Sequence, residues 1–564
     1  MSKTALRATE QLRERIADAM RLCMERGVFP QAEIPGFAVE TPPDLAHGDR
    51  ACNAAMVCAK AFRMPPRKIA EAVRENIRLD GTPFDRAEIA GPGFLNFFFG
   101  RRFYTGVLRE ILERGEDYGR SGWGKGERVM VEFVSANPTG PMHMGNARGG
   151  ALGDCLASVL DAAGFDVSRE FYVNDAGNQI EKFGRSLEAR YLQIYKGEAA
   201  VGFPEDGYHG DDVKERAAEF AKEYGDRYVS APPEERRRAL VGYTLPRNIA
   251  KMKSDLEKYR IVYDTWFRES TLHEDGELDE TLRILKDRGM TYEKDGALWY
   301  KGTAMGEEKD EVLVRQNGTP TYFAADIAYH RNKFVKRGFQ RAIDVWGADH
   351  HGHVARMKGA MDAIGLDGGK LDVVLIQLVR LVRGGEVVRM SKRTGKAIQL
   401  GDLLDEVPVD AARFYFNLRE ATSQMDFDLD LAVKQDAQNP VYYVQYAHAR
   451  ICSILKNLAA DGIRPRGCTD GELALLTAPE EIELIRHLSG CTEEIIASAR
   501  DYDPARMMRY LISLATLFHK FYTACRVKGE DEPLAAARLN LCLATRTVLR
   551  NVLGMFKITA PTSM

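Results

Sequence analysis

The 564-residue chain has no excess of positive charge: 79 Lys and Arg stand against 82 Asp and Glu, a formal net charge of −3. That excludes a protein that coats nucleic acid through a globally basic surface. It leaves room for a local basic patch, which is all a phosphate backbone needs. No apolar run is long enough to span a bilayer, and there is no internal repeat or low-complexity tract. The nine cysteines include no Cys-x-x-Cys pair; Cys52 and Cys58 are close and the rest are scattered. They read as small buried hydrophobes in a reducing compartment rather than as a disulfide framework. His350-His351-Gly352-His353 invites a metal reading, but only Asp349 stands beside it at ligand spacing, so no metal site is expected.

In residues 1–24 the apolar positions Leu12, Ile16, Ala19, Met20 and Cys23 share one helical face, and Glu10, Glu14 and Asp18 lie among the bases. A secretory signal would need an uninterrupted apolar core and a transit peptide would avoid acids, so a cytoplasmic location is expected. With 45% apolar and 29% charged residues in 63.2 kDa, the chain should form roughly two to four domains, each with its own core.

Three blocks follow from the patterning. Residues 1–115 combine helical stretches, interrupted at Pro65-Pro66, with a turn and an aromatic strand in 90–99, which predicts a small α+β domain. Residues 121–126, Gly-rich, read as a linker. From 116 to 432 strands and helices alternate: a strand at 128–134, a helix at 145–163, strands at 165–172 and 342–346, a helix at 353–364 and a strand at 371–381. This predicts a doubly wound parallel, Rossmann-like sheet. Residues from about 175 to 320, helical and charged and then hairpin-like around 297–300 and 312–314, read as an insertion into it. Residues 433–564 are helical, with heptad-like spacing in 443–458, 482–499, 506–521 and 534–552, which predicts an all-α bundle. The fold class is therefore multidomain α/β.

Two short stretches carry the chemistry. His143-Met144-Gly145-Asn146 lies where an apolar strand passes through a Pro/Gly loop into a helix. A helix N-terminus after a parallel strand is an anion site, with outward N–H groups and a favourable dipole. Gly145 lets a ligand approach the backbone, and His143 and Asn146 share a side of the first turn. An unliganded His/Asn helix cap is the bland alternative. Arg389-Met390-Ser391-Lys392, followed by Arg393-Thr394-Gly395-Lys396, forms a basic loop after a Gly384-Gly385 hairpin. Such a loop could close over a triphosphate and hold departing pyrophosphate; alone it would read as a solvated charge run.

In this order the two stretches resemble the HIGH and KMSKS elements of class I aminoacyl-tRNA synthetases, with Asn146 for the second histidine and Arg389 for the first lysine. The flanking residues are more specific. Val131-Glu132-Phe133-Val134-Ser135-Ala136-Asn137-Pro138-Thr139-Gly140-Pro141 resembles the arginyl-tRNA synthetase family. So do Val173-Asn174-Asp175-Ala176-Gly177-Asn178-Gln179, residues 321–329, Trp346-Gly347-Ala348-Asp349-His350-His351-Gly352-His353, and residues 439–450. The likeness covers nearly the whole chain.

The resemblance implies ATP-dependent ligation of L-arginine to tRNA(Arg) through an arginyl-adenylate, with Mg2+ accompanying the ATP. It implies efficient activation only with tRNA bound, and attachment to the terminal 2′-hydroxyl. It implies catalytic roles for His143, Asn146, Arg389 and Lys392. ATP contacts would come from His143, Gly145, Asn146, Gly347, Asp349, His350, Met390, Ser391 and Lys392. For arginine it implies Glu132, Asn137, Tyr322 and Asp326, which suits a guanidinium's preference for carboxylates. Each has an ordinary alternative: a strand-edge ion pair, a turn former, a core aromatic and a surface acid.

For tRNA the candidates are Tyr442, Tyr446, Arg450 and Arg526 in the block that resembles the family's anticodon-binding domain. Val409-Asp410-Ala411-Ala412-Arg413 stands where that family has Asp-Ala-Leu-Arg. Tyr443, Phe521 and Lys434 belong to the same group, and core packing is the better reading for most of the aromatics. The first block resembles the family's N-terminal domain, which implies a contact with the outer corner of tRNA. A monomer is expected. The competing readings are a synthetase of the same class for cysteine or glutamate, a small nucleotidyltransferase, and a non-catalytic tRNA-binding paralogue.

Overall fold

The computed structural model describes residues 3–42, 44–388 and 398–564. The first block is a four-stranded antiparallel sheet, in the order Val39–Glu40, Arg50–Cys52, Phe94–Phe99, Phe84–Ala90, packed with helices Lys3–Glu25, Ala54–Phe62, Pro66–Asn76 and Arg101–Arg114. The aromatic strand supplies buried Leu95, Phe97 and Phe99, and Phe99 stacks on Phe103 at 3.5 Å.

The central block is built on a five-stranded sheet in the order Leu371–Ile376, Arg341–Gly347, Arg128–Glu132, Asp166–Val173, Thr265–Arg268. All neighbouring pairs are parallel. The first strand in sequence, Arg128–Glu132, is the middle one. The chain adds strands to one side of it, then crosses over and adds two to the other. The strand order therefore reverses between Arg128–Glu132 and Arg341–Gly347, and in such sheets ligands bind outside the carboxyl ends at that reversal. Helix Met144–Ala163 connects the first strand to its neighbour and lies close on the sheet. A Cβ at Gly153 would sit 2.3 Å from Phe133 Cγ, so only glycine permits that approach.

Three expectations change. The segment from about 175 to 320 is not one insertion, because Thr265–Arg268 returns to extend the main sheet. What lies outside the sheet is a helical part, Gly177–Lys196, Asp211–Tyr224 and Pro233–Lys258, and a separate three-stranded antiparallel sheet of Thr291–Lys294, Ala297–Tyr300 and Glu311–Val314. A four-residue strand between charged helices carries too little periodicity to stand out. The strand expected over 371–381 is two strands in different sheets, breaking at Gln377 and exposed Leu378; Val379–Arg383 pairs instead with Met425–Asp428. The apolar spacing of 482–499 spans two helices, Pro479–Ser489 and Cys491–Asp501.

The C-terminal block is a bundle whose long members are Pro440–Ala460, Ala505–Ala524 and Glu532–Met555. It is fastened to the central block at Asp154, a wholly buried acid in the middle of helix Met144–Ala163. Asp154 accepts from Arg413 Nη2 (2.5 Å), Lys557 Nζ (2.8 Å) and Arg169 Nε (3.0 Å). These cations, Arg413 first, more than offset burial and hold its carboxyl below the usual range. Arg260 Nη1 donates to Asp410 Oδ1 (2.5 Å) and Lys557 O (2.6 Å). The first block docks on the same bundle through Arg50–Glu493 (2.9 Å) and Arg486–Asp49 (2.7 Å). All nine cysteines are unpaired thiols.

Candidate active site

His143 is the N-cap of helix Met144–Ala163. Its Nδ1 accepts from Gly145 N–H at 3.2 Å, which places the neutral ring's proton on Nε2. Asn146 Oδ1 accepts from His143 N–H at 2.9 Å, leaving the amide nitrogen as a donor. The cap is therefore not an alternative to a ligand site. It uses the acceptor atom of each side chain and leaves the donors, as a phosphate oxygen requires. A Cβ at Gly145 would lie 3.2 Å from His143 Cε1, a tight approach that would press on the imidazole. Ser135, Asn137, Gly140, His143 and Asn146 line a cleft of about 450 Å³, faced across it by Tyr208, His209 and Asp212.

Arg389, Met390, Ser391 and Lys392 lie outside the described residues, but the chain just after them is fixed. Leu400 N–H donates to Met142 O at 2.9 Å, and Gln399 forms a β-bridge with His143. Gln399 and Leu400 thus lie against the residues that open the first motif. Buried Arg148, one turn further along the same helix, donates to Gln377 O (2.7 Å) and Glu420 O (2.9 Å), holding the base of the hairpin that leads into the loop.

Beyond Glu132 the chain makes a three-residue turn closed by Ser135 N–H to Phe133 O at 3.0 Å. Val134 there has φ +70° and Ser135 φ +39°. A β-branched residue in that region is strained, and such strain persists only where surroundings enforce it. Ser135 Oγ does so, donating to Glu132 Oε1 (2.8 Å) and accepting from Tyr172 N–H (3.1 Å). Glu132 Oε2 accepts from Lys333 Nζ at 2.7 Å, and the same ammonium reaches Asp344 Oδ1 at 2.9 Å. Glu132 thus ends the central strand, not an edge, and is buried beneath the cleft with a partner on each oxygen. Its carboxyl is raised by burial against the opposing pull of Lys333. Lys333 sits in a π-helical turn, Asn332–Lys336, a feature frequent at functional sites.

Most of the neighbouring buried acids have a cation: Glu170 has Arg337, Asp344 has Lys333, and Glu277 has Lys336. Glu269 differs. It is 4% exposed, and among the described residues no cation pairs with it. Its Oε2 accepts from Tyr172 OH at 2.8 Å and, with the Asn174 amide turned to donate, from Asn174 at 3.1 Å. A Cβ on Gly177 (φ +74°) would lie 3.9 Å from Glu269 Oε1 and 4.0 Å from Tyr322 Cε1, so that glycine keeps open the space between them. Burial first, and then the charges of Asp326 and Asp175, push the Glu269 carboxyl up to about 7. Asp326 and Tyr322 share helix Tyr322–Arg331; Tyr322 is exposed and Asp326 half-buried. Asp349 and His350, exposed after Gly347, stand at the carboxyl end of the strand on the other side of the sheet reversal.

Residues 107–451 match the model described as tRNA synthetases class I (R), catalytic domain. Residues 9–99 match the arginyl tRNA synthetase N terminal domain and 444–564 the DALR anticodon binding domain. An arginine–tRNA ligase of Ruminiclostridium cellulolyticum is 55% identical over 98% of each chain, and one of Caldanaerobacter subterraneus is 55% identical over 100% of each. The chain belongs to the arginyl-tRNA synthetase family. The solved Thermus thermophilus arginyl-tRNA synthetase has the same fold, with a TM-score of 0.74 at 23% identity over 99% of this chain and 100% of that one.

For a synthetase of this family the C-terminal helices are of interest next. Tyr442 and Tyr446 stack at 6.4 Å with planes 5° apart, and Tyr446 is exposed. His519, from helix Ala505–Ala524, joins the row 5.9 Å from Tyr446, and its Nδ1 lies 3.3 Å from Arg450 Nη1. Arg450 also covers the Tyr522 ring at 5.1 Å. Phe521 is fully buried, and half-buried Tyr443 bonds to Thr516 at 3.2 Å, so core packing is right for these two. Arg526 is exposed. The structure therefore groups Tyr442, Tyr446 and Arg450, and adds His519 and Tyr522. Sequence reasoning missed Glu269 and Tyr172 because neither lies in a quoted motif. The one available signal was an acid directly after the short strand Thr265–Arg268, which was itself unread.

Proposed function

We propose that this chain joins L-arginine to tRNA(Arg) through an arginyl-adenylate formed from ATP, releasing AMP and pyrophosphate. The observation that carries the reading is buried Glu269, with which no cation pairs among the described residues and whose carboxyl feels the charge of Asp326. A guanidinium is permanently charged and carries five donors in a rigid fork. Two carboxylates on separate elements, Glu269 and Asp326, suit that fork, with Tyr322 beside them. Asn137, which lines the cleft with His143, lies on the path toward the ATP side and would hold the amino acid's α-groups. Glu132, with Ser135 and Lys333, forms the floor.

The α-carboxylate attacks the α-phosphorus in line and pyrophosphate leaves. Negative charge builds on the phosphate oxygens. His143 Nε2–H and the Asn146 amide donate to them, Gly347, Asp349 and His350 flank the nucleotide, and Gly145 and the loop's Met390 and Ser391 pack against it. Arg389 and Lys392 hold the leaving pyrophosphate. An Mg2+ ion would accompany the ATP, carried largely by the nucleotide's own phosphates.

The row Tyr442, Tyr446, Arg450, together with Arg526, is the face for unpaired tRNA bases and phosphates. The proposed division is an N-terminal domain over 1–115, a catalytic domain over 116–432 and an anticodon-binding domain over 433–564, working as a monomer in the cytoplasm. No described helix is long and apolar enough to cross a membrane.

Pyrophosphate exchange, run with each amino acid in the presence and absence of tRNA, tests the reading. Arginine-specific, tRNA-dependent exchange is expected; exchange with another amino acid overturns the specificity. Lys392→Ala should slow adenylate formation far more than it weakens arginine binding, and a pure loss of arginine affinity would remove the loop from the chemistry.

A further inference from the structure

We infer that His353 is a positioning residue that makes the site select arginine over lysine, by fixing Asp326 relative to Glu269. The inference rests on the proposed arginine site. His353 Nε2 lies 3.3 Å from Asp326 Oδ2. Its ring is held by Trp346 at 5.4 Å and by Phe323 at 6.0 Å, edge to face, so the imidazole has little freedom to turn. The helix that carries it, His351–Ala363, is itself anchored three residues on. There Arg356 Nη1 lies 3.3 Å from Glu311 Oε1 and its Nε 3.8 Å from Glu307 Oε2, both on the outlying antiparallel sheet segment.

The two carboxylates of the site are therefore held alike. Tyr172 and Asn174 hold one oxygen of Glu269 from behind, and His353 holds one oxygen of Asp326. Among the described residues no hydrogen bond or ion pair engages the other oxygen of either acid, which is left for a ligand.

That arrangement discriminates by shape. A guanidinium is a rigid planar fork that needs acceptors at a set separation, whereas an ammonium is a point charge with three rotatable donors that a single carboxylate can satisfy wherever it sits. A fixed pair rewards the fork. If Asp326 swings loose, arginine loses a correctly placed acceptor while lysine loses little. His353 touches no substrate in this account; it acts through Asp326.

The test uses the full chain with tRNA and measures pyrophosphate exchange for wild type, His353→Leu, His353→Gln and Asp326→Asn. For His353→Leu, which removes the polar contact to Asp326, the arginine KM should rise about tenfold, on the order of one polar contact to a charged group. The ATP KM should stay within about twofold, and the arginine-to-lysine ratio of kcat/KM should fall about tenfold. His353→Gln, whose amide nitrogen occupies the place of imidazole Nε2, should recover most of both. Equal loss in the Leu and Gln variants, a parallel collapse of arginine and ATP parameters, or an unchanged ratio overturns the inference. Asp326→Asn separates the levels. If it leaves the arginine KM unchanged, the arginine site itself is misplaced. If it raises that KM while His353→Leu does not, only the role of His353 falls.

Discussion

Glu269 makes arginine binding a proton-linked event. In the empty site its carboxyl is pushed from 4.5 up to about 7, so the charged form is disfavoured there by about 3 kcal/mol. Because the folded pKa is raised, the stability this group contributes is complete below about pH 4.5 and is lost as pH climbs through about 7. An arginine guanidinium supplies the missing cation and returns the group to its ionised form. Binding then requires the fraction already ionised, which is about one in eleven at pH 6 and about nine in ten at pH 8. The dissociation constant for arginine should accordingly be about tenfold weaker at pH 6 than at pH 8, with about half a proton released per arginine at pH 7. Titration calorimetry with arginine alone, in buffers of different ionisation enthalpy, reads both quantities without interference from ATP. Glu269→Gln should abolish the slope and weaken binding at pH 8 by about 2 kcal/mol, roughly thirtyfold. A flat pH profile in the wild type, or an unchanged slope in Glu269→Gln, would refute the reasoning.

Other outcomes are expected from the same geometry. Lys333→Met leaves Glu132 and Asp344 buried without their shared ammonium and should cost about 3–5 kcal/mol in urea unfolding; an unchanged midpoint would mean the network is not held by charge. Gly153→Ala forces a methyl into Phe133 and should lower stability by about 1–3 kcal/mol, read as a fall in Tm. Asn146→Ala removes the acceptor for His143 N–H, destabilises the helix start by about 1 kcal/mol, and should lower kcat for exchange with little change in the arginine KM.

The fold was legible where periodicity is long. The N-terminal α+β unit, the alternating central block and the helical bundle all follow from apolar spacing, and His143–Asn146 fell at a strand–helix junction as its chemistry demands. Short elements were not legible. Thr265–Arg268 has four residues, and nothing local says that it joins a sheet whose previous strand ends at Val173. The site was half legible for a related reason. His143, Asn146 and Asn137 lie on one continuous stretch and meet in one cleft. The carboxylate pair is assembled from helices more than fifty residues apart, and only the crossing of the sheet brings Glu269 to Asp326. Glu132 shows the converse: an acid in a telling motif whose oxygens answer to Ser135 and to Lys333, two hundred residues downstream. Ion pairing of that kind leaves no local trace in a sequence.

The buried joint at Asp154 bears on how the protein comes into being. Arg413 lies 259 residues after Asp154, and Lys557 lies 403 residues after it. While the chain is still emerging, the helix that starts at His143 carries an acid with only Arg169 of its three cations already made, and it cannot settle in its final dry setting without cost. Full neutralisation of Asp154 therefore waits until both Arg413 and Lys557 have been made. A product cut short before Lys557 would be poorly folded at its active centre rather than merely lacking its tail. The joint thus ties the order of the active-centre helix to residues made hundreds of positions later.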